Sequence, residues 1–272
     1  MRSVVLVLSL TGCAAFVAGT TGLWSPALVS GQENRTASAG ASLQLIDDLV
    51  VGNRVLANEG IVDGLGHISV RHDQRPDRFF VSRDLAPGLV TSADLVEYDL
   101  EGNPITANAP RGYTERFIHA AIYKARPDVR SVVHAHTPSV VTFTVSSIPL
   151  RPIYHVAAFL LPGVPIYDIR KVAGHQGMLV SDLRSGAALA ETLGDKAIAL
   201  MRGHGYVAVG SVIPEAVHRS IVLDVNARMQ MEAIGLGGNV TYLTNADIGA
   251  GGQAATEYMR GWALWKERAM RR

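Results

Sequence analysis

Ser131-Val132-Val133-His134-Ala135-His136-Thr137-Pro138 is the stretch from which the rest of the chain is read. Its β-branched start reads as a buried strand, and in a strand residues two apart share a face, so His134 and His136 form a chelating pair. Thr137 suits a helix N-cap and Pro138 the first helical position, so a helix begins immediately after the pair. A third imidazole, His204, lies in Leu200-Met201-Arg202-Gly203-His204-Gly205, where an apolar strand breaks into glycines and the backbone can be approached closely. Glu115, in Tyr113-Thr114-Glu115-Arg116-Phe117, opens an amphipathic helix upstream. Three imidazoles and one carboxylate are a usual catalytic-metal set: nitrogens hold the ion, and the acid completes the shell or acts as a base.

Working outward, helical spacing of apolar residues predicts a helix over residues 41–59, with Ser38 or Ser42 as its cap. Strands are expected at 67–71 and 78–82, and a hairpin turn at Glu101-Gly102-Asn103-Pro104 joins 95–98 to 105–106. Thr114 is the expected cap of a helix reaching about Ala125. Further strands are expected at 164–169, 197–202 and 206–209, with helices at 186–194 and 214–232. An amphipathic helix at 254–271 carries Tyr258, Trp262 and Trp265. Alternating helices and strands mixed with hairpins imply a three-layer α/β/α domain with a central mixed, largely antiparallel sheet.

Composition bounds the function. The 272 residues are 48% hydrophobic and 18% charged, enough for one substantial core and no second large domain. Lys and Arg number 25 against 24 Asp and Glu, a net charge of +1 without a basic arm, so a nucleic-acid partner is not expected. Residues 1–31 read as an export signal or N-terminal anchor: Arg2 precedes an apolar run from Val4 to Leu10, with small and polar residues after it. Leu10-Thr11-Gly12-Cys13 also fits lipoprotein processing, whereas continuation of the apolar run suits cleavage near Val29-Ser30-Gly31 or a retained anchor. On any of these readings the domain at 39–272 lies outside the cytoplasm, with the bacterial periplasm as the expected compartment and the membrane a partner only through the N-terminal segment. Cys13 is the single cysteine, so no disulfide supports the domain and packing or subunit contacts must.

The succession Gly64-Leu65-Gly66-His67-Ile68-Ser69-Val70-Arg71, Glu115, His134-Ala135-His136 and Arg202-Gly203-His204-Gly205 resembles the class II aldolase/adducin family in order and spacing, over residues 45–243. The resemblance implies that His134, His136 and His204 hold one divalent metal ion, zinc or manganese with iron or cobalt as alternatives. It implies that Glu115 is the acid/base or a labile fourth ligand. It also implies a tetramer with sites near subunit boundaries, where the aromatic tail either covers a neighbour's pocket or packs on its own core. The adducin branch generally lacks these histidines, so their presence points to an enzyme acting on a small molecule.

Aldolases of that family carry Gly-Asn in the first motif and serine- or glycine-rich loops that seat a phosphate. Here His67 replaces the Asn, Ser82-Arg83-Asp84-Leu85-Ala86-Pro87 replaces the loop, and Tyr113-Thr114 replaces a serine pair. Arg71, Arg83, Arg111 and Arg151 near the motif boundaries suit a planar carboxylate, which guanidinium matches in a bidentate way. Gly66-His67, Glu115-Arg116-Phe117-Ile118-His119 and Leu150-Arg151-Pro152-Ile153-Tyr154-His155 resemble the branch that decarboxylates dihydroxyphthalates and hydroxypyridine dicarboxylates. The expected reaction is therefore carbon–carbon cleavage in which a hydroxylated aromatic or heteroaromatic acid loses carbon dioxide. Glu115 or His155 protonates the ring carbon, while His67, Arg71, Arg83 and Arg151 bind the substrate. Two alternatives stay open: retro-aldol cleavage of a non-phosphorylated hydroxy ketone, and a non-catalytic metal-binding protein. His119, one turn after Glu115, is expected to support it, and His72, His175 and His218 read as surface or loop residues.

Overall fold

The structure, a computed structural model, describes residues 40–172, 174, 176–248 and 255–271. The expected export segment, Cys13 and Ser38 lie outside the described residues, as does His175. Seven strands form one sheet: β1 His67–Arg71, β2 Arg78–Ser82, β3 Leu95–Asp99, β4 Ser131–Ala135, β5 Ile166–Tyr167, β6 Ile198–Met201 and β7 Gly205–Gly210. Their order is β3-β2-β1-β4-β7-β6-β5. All neighbours pair antiparallel except β5 and β6, so the sheet is mixed and largely antiparallel, as the sequence predicts.

The helices are α1 Leu43–Asn58, α2 Arg116–Ala125, α3 Pro138–Val145, α4 Leu183–Leu193, α5 Ile213–Gly235, α6 Asn245–Ile248 and α7 Ala255–Met270. Because strand side chains alternate, β4 and β7 feed two cores. Val133, Ala135 and Ala208 pack under residues of α1, α3, α5 and α7. Val132, Val207 and Val209 pack under α2 and α4. Both faces of the sheet are covered, and β6 and β7 therefore read as largely apolar runs. No helix among the described residues is long and apolar enough to cross a membrane.

Several expectations need correction. Ser42 does cap α1, its hydroxyl accepting the Leu45 amide at 3.3 Å, but Thr114 does not cap α2. Glu115 occupies that position without a capping bond of its own side chain, because its carboxylate is engaged elsewhere. The predicted strand at 164–169 shrinks to Ile166–Tyr167 before a 3-10 turn at Ile169–Lys171. The returning arm of the expected hairpin is a single bridge between Tyr98 and Pro104, since the turn is held by Asp99 accepting the Glu101 and Asn103 amides. The tail helix packs on α1 and α5 of its own chain, with Trp262 buried at 5% exposure.

Two histidines read as surface residues are interior. His72 is fully buried, its Nδ1 accepting the amides of Gln74 and Arg75 at 3.0 and 3.2 Å. His218 is buried with its ring 5.8 Å from that of Trp265. Histidine has an apolar ring and a polar edge, so sequence pattern alone does not separate these environments.

The strand register gathers the motifs at one end of the sheet. His67 stands opposite His134, Ala135 opposite Tyr206, and Met201 opposite Gly205. Arg71, expected to bind substrate, sits at the other end of β1 and is 3% exposed. Its guanidinium donates to the carbonyls of Val129 and Pro76 at 3.0 and 2.5 Å, and to those of Tyr123 and Arg126 at 2.6 and 3.0 Å. These last two belong to the carbonyl-rich end of α2, where a cation is favoured. With its donors committed, Arg71 is a structural residue. Arg71→Met is expected to lower unfolding stability by about 3 kcal/mol through four deprived carbonyls, while zinc content of the folded protein stays unchanged. Chemical denaturation with metal analysis checks both.

Candidate metal centre

Two glycines explain how the loops reach the site. Gly66 has a φ of +88°, and a Cβ there would lie 2.9 Å from the carbonyl oxygen of His134, so only glycine lets the chain enter β1 with His67 against β4. At Gly205 a Cβ would run into the carbonyl oxygen of Ala135 and lie 3.0 Å from the ring of His136. The close approach expected there is made by the β4 backbone, and the glycine serves to bring His204 beside His136.

Glu115, His134, His136 and His204 converge, each offering one ligand atom within 4.8 Å of the others. Nε2 of His136 and of His204 are 3.1 Å apart. Glu115 Oε2 is 3.3 Å from Nε2 of His134 and 3.5 Å from Nε2 of His204. Two ligands each 2.0–2.1 Å from one tetrahedral ion lie about 3.3 Å apart, so these separations fit a shared cation. His134 Nδ1 donates to the Tyr206 carbonyl at 2.9 Å. A carbonyl can only accept, so Nε2 of neutral His134 carries a bare lone pair. That Nε2 is buried without a hydrogen-bond partner, a cost that a metal ion removes.

Electrostatics favour a cation as well. Burial opposes charge on Glu115, but positive charge on the neighbouring His134 and then His204 outweighs it and holds the acid well below the usual carboxylate range, a role that a metal ion would take over with those nitrogens as its neutral ligands. Burial, then His134 and His204, lowers His136 to about 4, so at neutral pH its lone pair is available. The second oxygen of the acid, Oε1, accepts the Val180 amide at 3.0 Å, a contact no side-chain motif signals. The start of α2, with the positive end of its dipole, further favours the ionised form of the acid.

The other candidates fall in different places. His67 is buried at 3% exposure, its ring 4.5 Å from that of Tyr113 and 5.1 Å from that of His134. His119 does not support Glu115: its Nε2 meets His67 Nδ1 at 2.7 Å and its Nδ1 meets Ser69 Oγ at 2.6 Å. Arg83 follows the end of β2 that lies beside His67, half exposed, with Nε donating to Asp94 at 2.7 Å. Arg111 is exposed and paired with Asp84 at 3.3 Å. His155 and Arg151 are not among the four residues of the cluster. His155 is exposed and opens a 3-10 turn at His155–Leu160 that packs on α5. The Arg151 guanidinium lies 4.0 Å over the ring of Tyr242.

Comparison with known proteins agrees with an α/β/α layer fold that gathers three imidazoles and an acid at one sheet end. The Class II Aldolase and Adducin N-terminal domain matches residues 47–231. Decarboxylase tropJ of Talaromyces stipitatus is 37% identical over 240 residues, 79% of this chain and 90% of that protein. The 3,4-dihydroxyphthalate decarboxylase of Arthrobacter keyseri is 32% identical over 209 residues, 72% of this chain and 81% of that protein. The aldolase II superfamily protein from Pseudomonas syringae superposes with a TM-score of 0.71 at 22% identity, covering 84% and 92% of the two chains. The chain belongs to the class II aldolase and adducin family.

Proposed function

We propose that this protein is a metal-dependent lyase that removes carbon dioxide from a hydroxylated aromatic or heteroaromatic carboxylate. The observation that carries the reading is the four-ligand cluster in a chain similar over most of its length to two proteins named as decarboxylases. The ring pair of His67 and Tyr113 beside His134 also favours a flat aromatic substrate over a sugar phosphate, which would call for small hydroxyls and amides.

His134, His136 and His204 would hold the ion, with zinc or manganese suited to this donor set and iron or cobalt accommodated. Bound there, a divalent cation would supply Lewis acidity that takes up negative charge developing on the substrate. Glu115, ionised in the free site, is the carboxylate that would take the hydroxyl proton as the substrate, made more acidic by the ion, binds. It returns that proton to the ring carbon as the carbon–carbon bond breaks and carbon dioxide leaves with its electron pair retained by the ring. Arg83, half exposed at the same sheet end, orients a carboxylate. On this reading the chain is exported through residues 1–31 and assembles as a tetramer. Intact mass of the extracytoplasmic fraction and light scattering test those two statements.

The reaction is tested by supplying the zinc- or manganese-loaded protein with hydroxyphthalates, hydroxypyridine dicarboxylates and sugar-like ketols. Carbon dioxide with one equivalent of decarboxylated ring product is the expected result. Aldehyde without carbon dioxide would replace the reading with retro-aldol cleavage. A metal-loaded chain that turns over neither would be a binding protein.

A further inference from the structure

Between α2 and β1 runs a buried polar seam that the reaction above leaves unused. On β1, His67, Ser69 and Arg71 alternate onto one face; on α2, His119 and Tyr123 stand four residues apart on the facing side. Of the five, Ser69 and His119 have no exposed surface and Tyr123 1%. Their polar atoms form one chain: His67 Nδ1 to His119 Nε2 at 2.7 Å, His119 Nδ1 to Ser69 Oγ at 2.6 Å, and Ser69 Oγ to the Tyr123 hydroxyl at 2.7 Å. At the closed end the Tyr123 hydroxyl reaches the Arg130 carbonyl only at 3.5 Å, and Arg71 lies over the Tyr123 ring at 4.8 Å.

The direction of these bonds follows from which groups can accept. If Tyr123 donates to Ser69, Ser69 donates to His119 Nδ1, and His119 Nε2–H donates to His67 Nδ1, then all three short contacts are made. In the reverse order His67 donates inward, and the Tyr123 proton is left with the 3.5 Å contact, too long for a good O–H···O bond. Burial, then His134, lowers His119 to about 3. Burial, then His119 and His134, lowers His67 well below its ordinary value. In the first order His119 donates at one ring nitrogen and accepts at the other, and His67 accepts at Nδ1, so each ring carries a single proton and no charge.

We propose that His119, Ser69 and Tyr123 are positioning residues that fix the proton of His67 on Nε2, so that His67 offers a neutral N–H donor to an anionic oxygen of the ligand held at the metal cluster. The ligand half of this statement rests on the function proposed above; the proton assignment does not. Nε2 is the ring nitrogen left for a bound molecule, since Nδ1 is committed to His119. A donor locked in one tautomer binds a carboxylate or ring-oxide oxygen without giving up its proton, which leaves proton delivery to Glu115.

The experiment is nitrogen-15 NMR of the full chain labelled at histidine, with zinc bound, His67 being assigned by the signal lost in His67→Gln. The expected pattern is a protonated Nε2 and a bare Nδ1 on His67, with the Nε2 proton moving downfield when 2-hydroxybenzoate is added. In Tyr123→Phe, which keeps the ring, Ser69 loses its donor. His67 should then become a mixture of tautomers, with metal content unchanged and KM for the carboxylate substrate raised about tenfold against a smaller change in kcat. A proton on Nδ1 of wild-type His67, or a Tyr123→Phe protein with wild-type tautomer and KM, would overturn the proposal. Absence of carbon dioxide release from every hydroxyaromatic acid would instead remove the reaction assignment and leave the wild-type tautomer measurement to decide this one.

Discussion

His204→Ala is expected to lose its bound metal and to retain no more than about one thousandth of wild-type turnover. The cluster has three imidazoles, and His204 is the only one supplied by the β6–β7 turn, with its Nε2 3.1 Å from that of His136 and 3.5 Å from Glu115. Removing it leaves two nitrogens from a single strand and one acid, a set that no longer encloses a cation. Lewis-acid stabilisation contributes several kcal/mol to such reactions, and each 1.36 kcal/mol is a factor of ten in rate, so about 4 kcal/mol gives the thousandfold loss. Chelation of the wild-type protein should reproduce the loss, and added zinc or manganese should reverse it. Glu115→Gln separates binding from chemistry: it keeps three nitrogens and hence metal, yet its turnover should fall by a factor of about 10²–10⁴ for want of a proton carrier. Metal analysis beside carbon dioxide release measures all three. A fully metallated, fully active His204→Ala protein would remove the basis of the enzyme reading.

The second large effect is acid sensitivity of the metal-free protein. Buried His119 is lowered to about 3 by its surroundings, burial first, whereas in the unfolded chain it titrates near 6.5. A histidine lowered in the folded state is neutral in both states above pH 6.5. Below that, the unfolded state alone gains the proton, so stability falls as pH falls from 6.5 toward 3. Between pH 6.5 and 5 this one ring costs about 2 kcal/mol, a fall in Tm of about 4–8 °C for a domain of this size. His67, His218 and, in the chelated protein, His136 are lowered in the same direction and steepen the slope. Carboxylates titrate mostly below this window, which makes it diagnostic. Thermal scans of chelated protein from pH 7 to 5 should show the decline, and His119→Gln should make it shallower by the share of that one ring. A Tm independent of pH over that range would show that the seam accepts a proton readily.

The ligand set was legible because each member carries a pattern independent of tertiary detail. His134 and His136 share a face through strand periodicity, His204 sits between glycines, and Glu115 opens an apolar-striped helix. The layer order followed from the same periodicities. What escaped reading has a common physical cause, namely that the identity of a side chain does not reveal the partner of its polar atoms. Arg71 has the same fork whether it meets a carboxylate or the four carbonyls it in fact contacts. His119 lies one turn from Glu115, yet α2 turns it toward His67 and Ser69. Arg151 and His155 are near Leu150 in a motif-like segment, but Asn226 and Gln230 of α5 pin that segment by its backbone, a restraint that residue type does not announce. Backbone donors such as the Val180 amide leave no trace in residue type at all.

That amide reports on the site from a distance in sequence. Its proton rests on one oxygen of the carboxylate whose other oxygen faces His134 and His204. If the acid rotates, takes up a proton or yields its place to a ligand, this one peptide hydrogen loses its acceptor. A single exchange rate at a residue 65 positions along the chain from Glu115 thus becomes a built-in gauge of the acid's occupancy, readable without substrate turnover or an added label.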